Sequence, residues 1–501
     1  AWIQRRSLVP AMIFTEYYGY VTIHFWEYLM MFVLFVLMYI YFARQKNLRI
    51  KTEPEYKYFL WGLLAKVSGG LFFSLIYFYY YQGGDTISYF YSAVALGNLF
   101  KQSPSEYFTV VFGEASLANK LKFTLETGEP YFYVYNDPRA YMVTRLISPL
   151  TVLTMNSYLL TTTVVSSASY IAVWRCYQTF VRYFPRLRRE LAIAVLFMPS
   201  SIFWGSAILK DTFTFAGLCW FFHGVDDLFF HRERVVRSIW HVIIGLVLMI
   251  AIKPYVFMAI FPVCLLWLSY GRLQRIRNSL IKYLVVPIGF VFMVMVSFVI
   301  LTQLGESLDK FSLDKALDTI QVTQSDMKRS EQYGNNYFDV GELDGTWLNV
   351  LSKFPVATWA ALFRPDLTEC NNAMMYLAGL ENTFLLLLFL TVLWKSRVAL
   401  FPSLVIKNPL VLMCVVFVLT YGFITGITTP NFGALVRFKI PLIPFFVSSM
   451  FIMLYLLKVR RAIIGRGKRF RFEDYMYGDP DRPRALRKAA AEAKRKAYMA
   501  A

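Results

Sequence analysis

Eleven long apolar runs constrain the fold of this chain more than any other feature of its sequence. A helix needs about twenty largely apolar residues to cross the hydrocarbon core of a bilayer, and most of the runs approach that length. The runs cover residues 23–42, 58–81, 156–178, 191–209, 213–230, 239–251, 255–270, 283–302, 374–394, 410–425 and 440–457. Hydrophobic residues make up 57% of the 501 residues and charged residues only 17%, which is too apolar for a soluble domain. The sequence therefore predicts an all-α, polytopic transmembrane helical bundle of about eleven helices.

The basic residues predict how this bundle is oriented. Most lysines and arginines lie in alternate connections between the runs and in the C-terminal tail. Because short cytoplasmic loops are enriched in Lys and Arg, these connections are expected on the cytoplasmic side. We therefore predict a transmembrane domain over residues 1–458 and a basic cytoplasmic tail over residues 459–501. Topology accounts for the net charge of +20, so no nucleic acid partner is predicted.

Two long polar segments, residues 82–155 and 305–372, then lie on the outer face. Connections beyond about fifteen residues usually carry structure or function of their own. Apolar residues at helical spacing predict amphipathic helices along the membrane surface within these loops. These helices are predicted at residues 86–100, 312–320 and 347–362.

The sequence offers no recognised cofactor motif. The five cysteines and four histidines show no spacing typical of a metal site. Walker, HExxH, GxSxG and GxGxxG signatures are also absent from the sequence. No metal or other cofactor is therefore predicted from the residues.

The first cluster with possible chemistry is Gly83-Gly84-Asp85, where the second predicted helix leaves the membrane. The glycines permit a sharp turn, which places Asp85 at or near the N-cap of the next helix. Asp85 can simply cap that helix. It can also act as a general base that takes a proton from an acceptor hydroxyl, and the two roles are compatible.

A second cluster lies at Lys210-Asp211, in the predicted outer turn between the fourth and fifth helices. These two residues can pair with each other and cap the turn. Alternatively, Lys210 supplies a point charge for a lipid-linked phosphate. Lys253 lies in another outer turn, and Lys66, within the second helix, is expected to extend toward the cytoplasmic surface.

Three further charged residues lie in the C-terminal half. Glu381 is about two turns inside an apolar run, where a carboxylate is costly, so it is expected to face a cavity or a cation from a neighbouring helix. Arg437 lies at the outer entrance of the last predicted helix and requires an anionic partner, either a carboxylate or a phosphate. Arg364 precedes Pro365 at the end of the second outer loop.

Four short motifs resemble the GT-C superfamily of membrane glycosyltransferases, in particular bacterial mannosyltransferase-like members. The resemblance spans roughly residues 60–458. The motifs are Gly83-Gly84-Asp85, Phe203-Trp204-Gly205-Ser206 with Lys210-Asp211, Phe363-Arg364-Pro365 with Gly379-Leu380-Glu381-Asn382, and Arg437-Phe438-Lys439-Ile440-Pro441.

This resemblance implies a GT-C-like fold and transfer of a sugar from a polyprenyl-phosphate carrier to a glycan, lipid or protein acceptor. The reaction would take place on the outer face of the bacterial cytoplasmic membrane. Asp85 would activate the acceptor, while Lys210 and Arg437, with Arg364 as a weaker candidate, would hold the donor phosphate. Asp211 belongs to the same substrate site, and Glu381 would position one of these cations. Family members often have a second acid in the first outer loop. Here Thr86 follows Asp85, so the resemblance favours no divalent metal.

Two other classes of function remain open. A polysaccharide polymerase or ligase would depend on Arg364 and Arg437 and not on Asp85. A transporter would place charges or broken helices near the middle of the membrane, and an accessory subunit of a membrane assembly would tolerate loss of all these charges. Membrane lipids are expected partners in every case.

Overall fold

The fold is described by a computed structural model. It describes residues 14–17, 21–232, 234–273, 288–289, 292–296, 299, 313–328, 336–467 and 469–475. Helices dominate these residues, and a small antiparallel hairpin precedes them. Its strands are β1 (Phe14–Tyr17) and β2 (Val21–His24). The observed secondary structure agrees with the prediction of an all-α protein apart from this hairpin.

The α-helices are numbered here in chain order. In the N-terminal half they are α1 Phe25–Arg49, α2 Phe59–Tyr79, α3 Asp85–Gln102, α4 Pro104–Phe112, α5 Leu117–Lys120, α6 Phe132–Asn136, α7 Pro138–Leu153, α8 Tyr158–Tyr183, α9 Arg188–Leu196, α10 Pro199–Phe203 and α11 Lys210–Val225. They continue as α12 Val235–Ile252, α13 Pro254–Leu273, α14 Leu313–Met327, α15 Trp347–Ser352, α16 Phe354–Phe363, α17 Ala373–Lys395, α18 Phe401–Ile406, α19 Pro409–Thr428, α20 Phe432–Phe438 and α21 Ile443–Gly465. A π-helical turn, Asp226–His231, follows α11. Short 3-10 helices lie at Pro54–Tyr58, Pro185–Leu187, Ile440–Leu442 and Phe472–Tyr475.

Seven helical segments among the described residues are long and apolar enough to cross a membrane. They are Phe25–Arg49, Pro54–Tyr79, Val235–Ile252, Pro254–Gly271, Ala373–Lys395, Pro409–Thr428 and Phe432–Gly465. Each coincides with one of the eleven predicted runs, so these seven predictions are confirmed as helices. The chain is thus a mostly helical protein with the helices of a multi-pass membrane protein.

The other four predicted spans have different outcomes. The third corresponds to α8, which is 26 residues long but rich in serine and threonine. The fourth, residues 191–209, is wrong as a single helix because helical structure is interrupted after α9 and again after α10. The fifth is divided between α11 and the π-helical turn. The eighth, residues 283–302, lies largely outside the described residues.

The chain divides into two compact units. Unit 1 comprises residues 1–172, 202–216 and 251–253, and unit 2 comprises residues 173–201, 217–250 and 254–501. In unit 1 the predicted first outer loop, residues 82–155, forms helices α3 to α7. Helix α3 confirms the predicted amphipathic helix, and it packs against α7. A core around Leu96, Leu99, Tyr107 and Tyr141 joins α3, α4, α6 and α7, so the loop has a hydrophobic core of its own.

In unit 2 the long helix α19 packs against α13, α16 and α21. The approach of α16 to α19 requires a glycine, since a Cβ at Gly426 would overlap the Ala357 carbonyl. The two predicted segments of the second outer loop are helical: residues 312–320 correspond to α14, and residues 347–362 are divided into α15 and the largely buried α16. Helix α21 extends to Gly465, beyond the predicted start of the tail, and residues 476–501 lie outside the described part of the chain.

Candidate functional site

Asp85 is the first residue of α3, and Gly84 is its N-cap. Gly84 has a φ of 103°, a conformation that favours glycine, and a Cβ there would lie 2.8 Å from the Tyr77 ring. The predicted turn is therefore present, although the cap lies one residue earlier than the Asp85 position considered in the sequence. An aspartate in the first turn is favoured by the helix dipole. Asp85 is partly exposed.

Asp137 and Lys210 form an ion pair in unit 1. Asp137 is the N-cap of α7, accepts from the Arg139 main-chain N–H at 3.1 Å, and lies 2.6 Å from Lys210 Nζ. Burial raises the pKa of Asp137, but the Lys210 charge and the hydrogen bonds outweigh it and keep the pKa below 3.8. Burial also lowers the pKa of Lys210 below its ordinary value, although the charges of Asp137 and Asp85 oppose this effect. Asp85 therefore lies near enough to Lys210 for the two charges to interact.

Asp211 pairs with Lys253 rather than with its neighbour Lys210. The Lys253 Nζ lies 2.5 Å from an Asp211 carboxylate oxygen, and the two side chains are only 7% and 2% exposed. The Lys210 and Asp137 side chains are more accessible, at 18% and 37%. Of these two ion pairs, the first is deeply buried and water can reach the second.

The backbone between α10 and α11, residues 204–209, is not helical. Four carbonyl groups in and beside this segment accept hydrogen bonds from side chains. The Ser206 hydroxyl donates to the Ile202 carbonyl at 2.5 Å, and the Lys66 ammonium donates to the Gly205 carbonyl. The Ser166 hydroxyl donates to the Ser206 carbonyl at 2.7 Å, and the Thr212 hydroxyl donates to the Ala207 carbonyl at 2.6 Å. Side chains thereby replace the intrahelical bonds that this backbone lacks, as buried irregular backbone requires.

Lys66 is the least expected of these donors. Its side chain is almost fully buried and lies 5.2 Å from the centre of the Phe215 ring. The expectation that Lys66 extends to the cytoplasmic surface was therefore wrong, because its ammonium is used inside unit 1.

In unit 2, Glu381 lies inside α17 and is 7% exposed. One carboxylate oxygen accepts from the Ser200 main-chain N–H at 2.7 Å, and the other accepts from the Ser200 hydroxyl at 2.5 Å. This pair of bonds satisfies the start of the short helix α10. The charge is thus held by hydrogen bonds, and Lys439 is near enough to attract it.

Lys439, which belongs to the same sequence motif as Arg437, is a buried cation. It is 1% exposed, and its Nζ donates to the Asn382 side-chain oxygen at 2.5 Å and to the Arg364 carbonyl at 3.2 Å. Asn382 in turn donates to the Pro365 carbonyl at 2.8 Å. These contacts join the end of α16, the middle of α17 and the end of α20 within unit 2.

Arg364 already has an anionic partner within its own segment. Its guanidinium donates twice to Glu369, including an Nε bond of 3.1 Å. The same group lies 5.3 Å from the centre of the Phe338 ring and 5.4 Å from that of Phe432. Arg437 is partly buried and lies 5.9 Å from the Phe438 ring.

The predicted site residues therefore fall into two groups. Asp85, Lys210 and Asp211 lie in unit 1, and each is close to another charged group. Arg364, Glu381 and Arg437 lie in unit 2. The predicted convergence of Asp85 and Lys210 with Arg437 joins the two units and stays a prediction.

Asp137 and Lys253 are the charged residues of unit 1 whose pairing the sequence did not reveal. Asp137 had a local signal, because an aspartate before Pro138 is typical of an N-cap followed by proline at the first helical position. Its ion pair with Lys210 had none, since the two residues are far apart in sequence.

One group of side chains in unit 2 has the composition of a metal site. Ligand atoms of Asp226, Asp227 and His231 lie within 4.8 Å of one another. However, Arg182 Nη1 lies 2.7 Å from Asp226 and 2.5 Å from Asp227. The guanidinium takes the position that a cation would occupy, so these acids are neutralised by the protein itself.

No protein-family model, curated protein or solved structure matches this chain. The resemblance to GT-C glycosyltransferases therefore rests on the sequence motifs, and the coarser conclusion, a mostly helical protein with helices suited to several membrane spans, rests on the structure.

Proposed function

We propose that this protein is a membrane glycosyltransferase that moves a sugar from a polyprenyl-phosphate donor to an acceptor on the outer face of the bacterial cytoplasmic membrane. The observation that carries the proposal is the group formed by Asp85, Asp137 and Lys210 in unit 1. It combines a partly exposed carboxylate with a cation whose own partner is accessible. Transfer of a sugar from a lipid phosphate requires a base for the acceptor hydroxyl and a cation for the departing phosphate, and these two groups can supply them.

The burial of the two ion pairs indicates which cation meets the phosphate. Lys253 and Asp211 are both buried, so separating them would leave an uncompensated charge in the interior. Lys210 and Asp137 are partly exposed, and Asp137 can turn to water when an anion approaches. Lys210 can then exchange a carboxylate for the donor phosphate, while Asp85 accepts the proton of the acceptor hydroxyl.

The contacts of the other predicted residues favour structural roles for most of them. Asp211 acts by holding Lys253, and Arg364 is committed to Glu369. Glu381 holds the start of α10 through Ser200. In this proposal these residues position the framework, and the expectation that Arg437 also contacts the phosphate stays a prediction. No metal is required, because lysine and arginine supply the positive charge.

The test compares Asp85→Asn and Lys210→Ala in a transfer assay with a polyprenyl-phosphate sugar in native membranes. Loss of a general base lowers the rate by roughly 10²- to 10⁴-fold, so Asp85→Asn should reduce kcat strongly. Lys210→Ala should mainly raise the KM for the lipid donor. Glu114→Gln and Lys101→Ala, at exposed positions of the same predicted loop, are the matched controls.

Membrane insertion is measured in parallel for all four variants. Transfer retained by both Asp85→Asn and Lys210→Ala, with normal insertion, would refute the proposal. Loss of transfer in the control variants as well would show that the loop is merely sensitive to substitution, which would also count against specific roles.

A transporter is the second candidate, and the non-helical segment at residues 204–209 favours it. Interrupted helices that line a substrate site are typical of secondary transporters, and Lys66 lies against this segment. Uptake of a radiolabelled lipid-linked sugar into vesicles, unchanged by Asp85→Asn but abolished by Lys66→Met, would favour transport over transfer.

A further inference from the structure

A groove of about 750 Å³ lies beside the first turns of α12 in unit 2. We call it the arginine groove, and its main lining residues are Trp220, Arg234, Arg237, Trp240, His241 and Ile244. Its volume falls within the ~300–1,000 Å³ typical of small-molecule sites. It is therefore large enough to hold more than a single ion.

Close packing of two helices forms the inner wall of the groove. Gly224 of α11 lies against α12, where a Cβ would come within 3.0 Å of the Ser238 carbonyl. A Cβ at Gly245 of α12 would lie 2.8 Å from Phe221 of α11. This approach brings the Trp220 ring parallel to His241, with 6.3 Å between the ring centres.

The mouth of the groove is positively charged. Arg232, Arg234 and Arg237 are all exposed, and Glu233 is the one acid in this stretch of sequence. Among the residues that the structure describes, no carboxylate lies within ion-pair distance of Arg234 or Arg237. Helix α12 also begins here, and its first N–H groups lack intrahelical partners, which favours an anion at this end.

The remaining walls are apolar and open. Val236, Trp240 and Ile244 line the groove and are 72%, 58% and 38% exposed, although α12 is one of the seven helices apolar enough to span a membrane. Within the described chain, Trp220 Nε1 and the Nδ1 atom of His241 are buried without a hydrogen-bond partner. The groove thus combines unpaired polar atoms, exposed cations and a surface suited to hydrocarbon.

We propose that the arginine groove binds one anionic glycerophospholipid of the leaflet at this end of α12. Arg234 and Arg237 contact the phosphate together with the first turn of α12. The acyl chains lie along the exposed apolar face of α12, and Trp240 packs at the level of the ester groups, where tryptophan is enriched in membrane proteins. A free anion would leave the apolar wall uncovered. A zwitterionic lipid would bring the positive charge of its own headgroup toward the arginines.

The test measures lipid retention by the purified full-length protein in detergent, using native mass spectrometry. Phosphatidylglycerol and phosphatidylcholine with identical acyl chains are added at increasing concentration. Two cations near an anionic lipid contribute about 1 kcal/mol each, so Arg234→Gln with Arg237→Gln should weaken phosphatidylglycerol binding roughly 30-fold. The control, Lys51→Gln with Arg189→Gln, removes the same charge from exposed positions outside the groove and should bind like the wild type.

Two further measurements keep the proposal open to refutation if the double variant does not fold. Arg237→Lys should keep most of the affinity, whereas Arg237→Gln should lose roughly fivefold. Inorganic phosphate at equal concentration should fail to displace phosphatidylglycerol. Equal binding of both lipids by the wild type, equal loss in the control, or displacement by phosphate would each overturn the proposal.

Discussion

Replacing Lys253 with methionine should destabilise the protein by about 3–5 kcal/mol, the cost of leaving one buried charge without its partner. The 2.5 Å separation between Lys253 Nζ and Asp211 gives an attraction of about 7 kcal/mol at an effective dielectric constant of about 20. Desolvation of the two ions, several kcal/mol each, offsets most of this energy. The single variant loses the attraction but keeps the desolvation cost of Asp211.

The double variant Lys253→Met with Asp211→Asn should therefore recover most of the lost stability. Its free energy of unfolding should lie within about 1 kcal/mol of the wild-type value, because both desolvation costs disappear together. Unfolding is measured at equilibrium in mixed micelles with a thiol-reactive dye, since all five cysteines are free and buried in the folded protein.

An exposed ion pair of similar length provides the control. Lys328 and Asp339 lie 2.6 Å apart, but their side chains are 26% and 65% exposed. Lys328→Met should change the free energy of unfolding by less than about 1 kcal/mol. A double variant at Lys253 and Asp211 as unstable as the single variant would refute the reasoning, because removing the Asp211 charge would then recover none of the lost stability.

Two more predictions follow from the other polar contacts. Glu381→Ala should lower the free energy of unfolding by about 1–3 kcal/mol, because it leaves the buried Ser200 N–H without an acceptor, whereas Ser200→Ala should cost less. The lowered pKa of Asp137 means that its ionised form stabilises the folded state above its ordinary pKa of 3.8. This contribution is lost as the pH falls through the lower, folded-state pKa, so Asp137→Asn should flatten the acid side of the stability profile measured by tryptophan fluorescence. A steeper profile in that variant would contradict the assignment.

The seven confirmed spans were predictable because each is a continuous apolar run that becomes one helix. The fourth predicted span failed for a physical reason. A hydropathy window counts apolar residues, but it does not detect whether backbone carbonyls bond within the helix or to side chains from elsewhere. Pro199 and Gly205 in this run were local signs of interruption. The hydroxyl and ammonium groups that donate hydrogen bonds to the carbonyls of the interrupted segment come largely from distant parts of the sequence.

The local parts of the site were also predictable, and the pairings were not. Gly84 and Asp85 form the turn and helix start that their sequence indicates. Charges 42 residues apart, such as Lys253 and Asp211, meet only because the chain returns to the same place in unit 1. Sequence adjacency instead suggested that Lys210 pairs with Asp211. Neighbouring residues at a helix start point in different directions, which separates these two side chains and gives each a different partner.

The hydrogen bonds around the non-helical segment also bear on the choice between transfer and transport. Alternating access requires the elements around a substrate site to move past one another. In unit 1, Lys66 and Ser166 donate to the consecutive carbonyls of Gly205 and Ser206, and a Cβ at Gly70 would collide with Ser166 and Ser206. Displacing this segment would break the hydrogen bonds to these two buried carbonyls, at a cost of about 1–3 kcal/mol for each carbonyl left unsatisfied. The segment is therefore better suited to a fixed scaffold that holds charged groups in place, which favours transfer at a stationary site over transport.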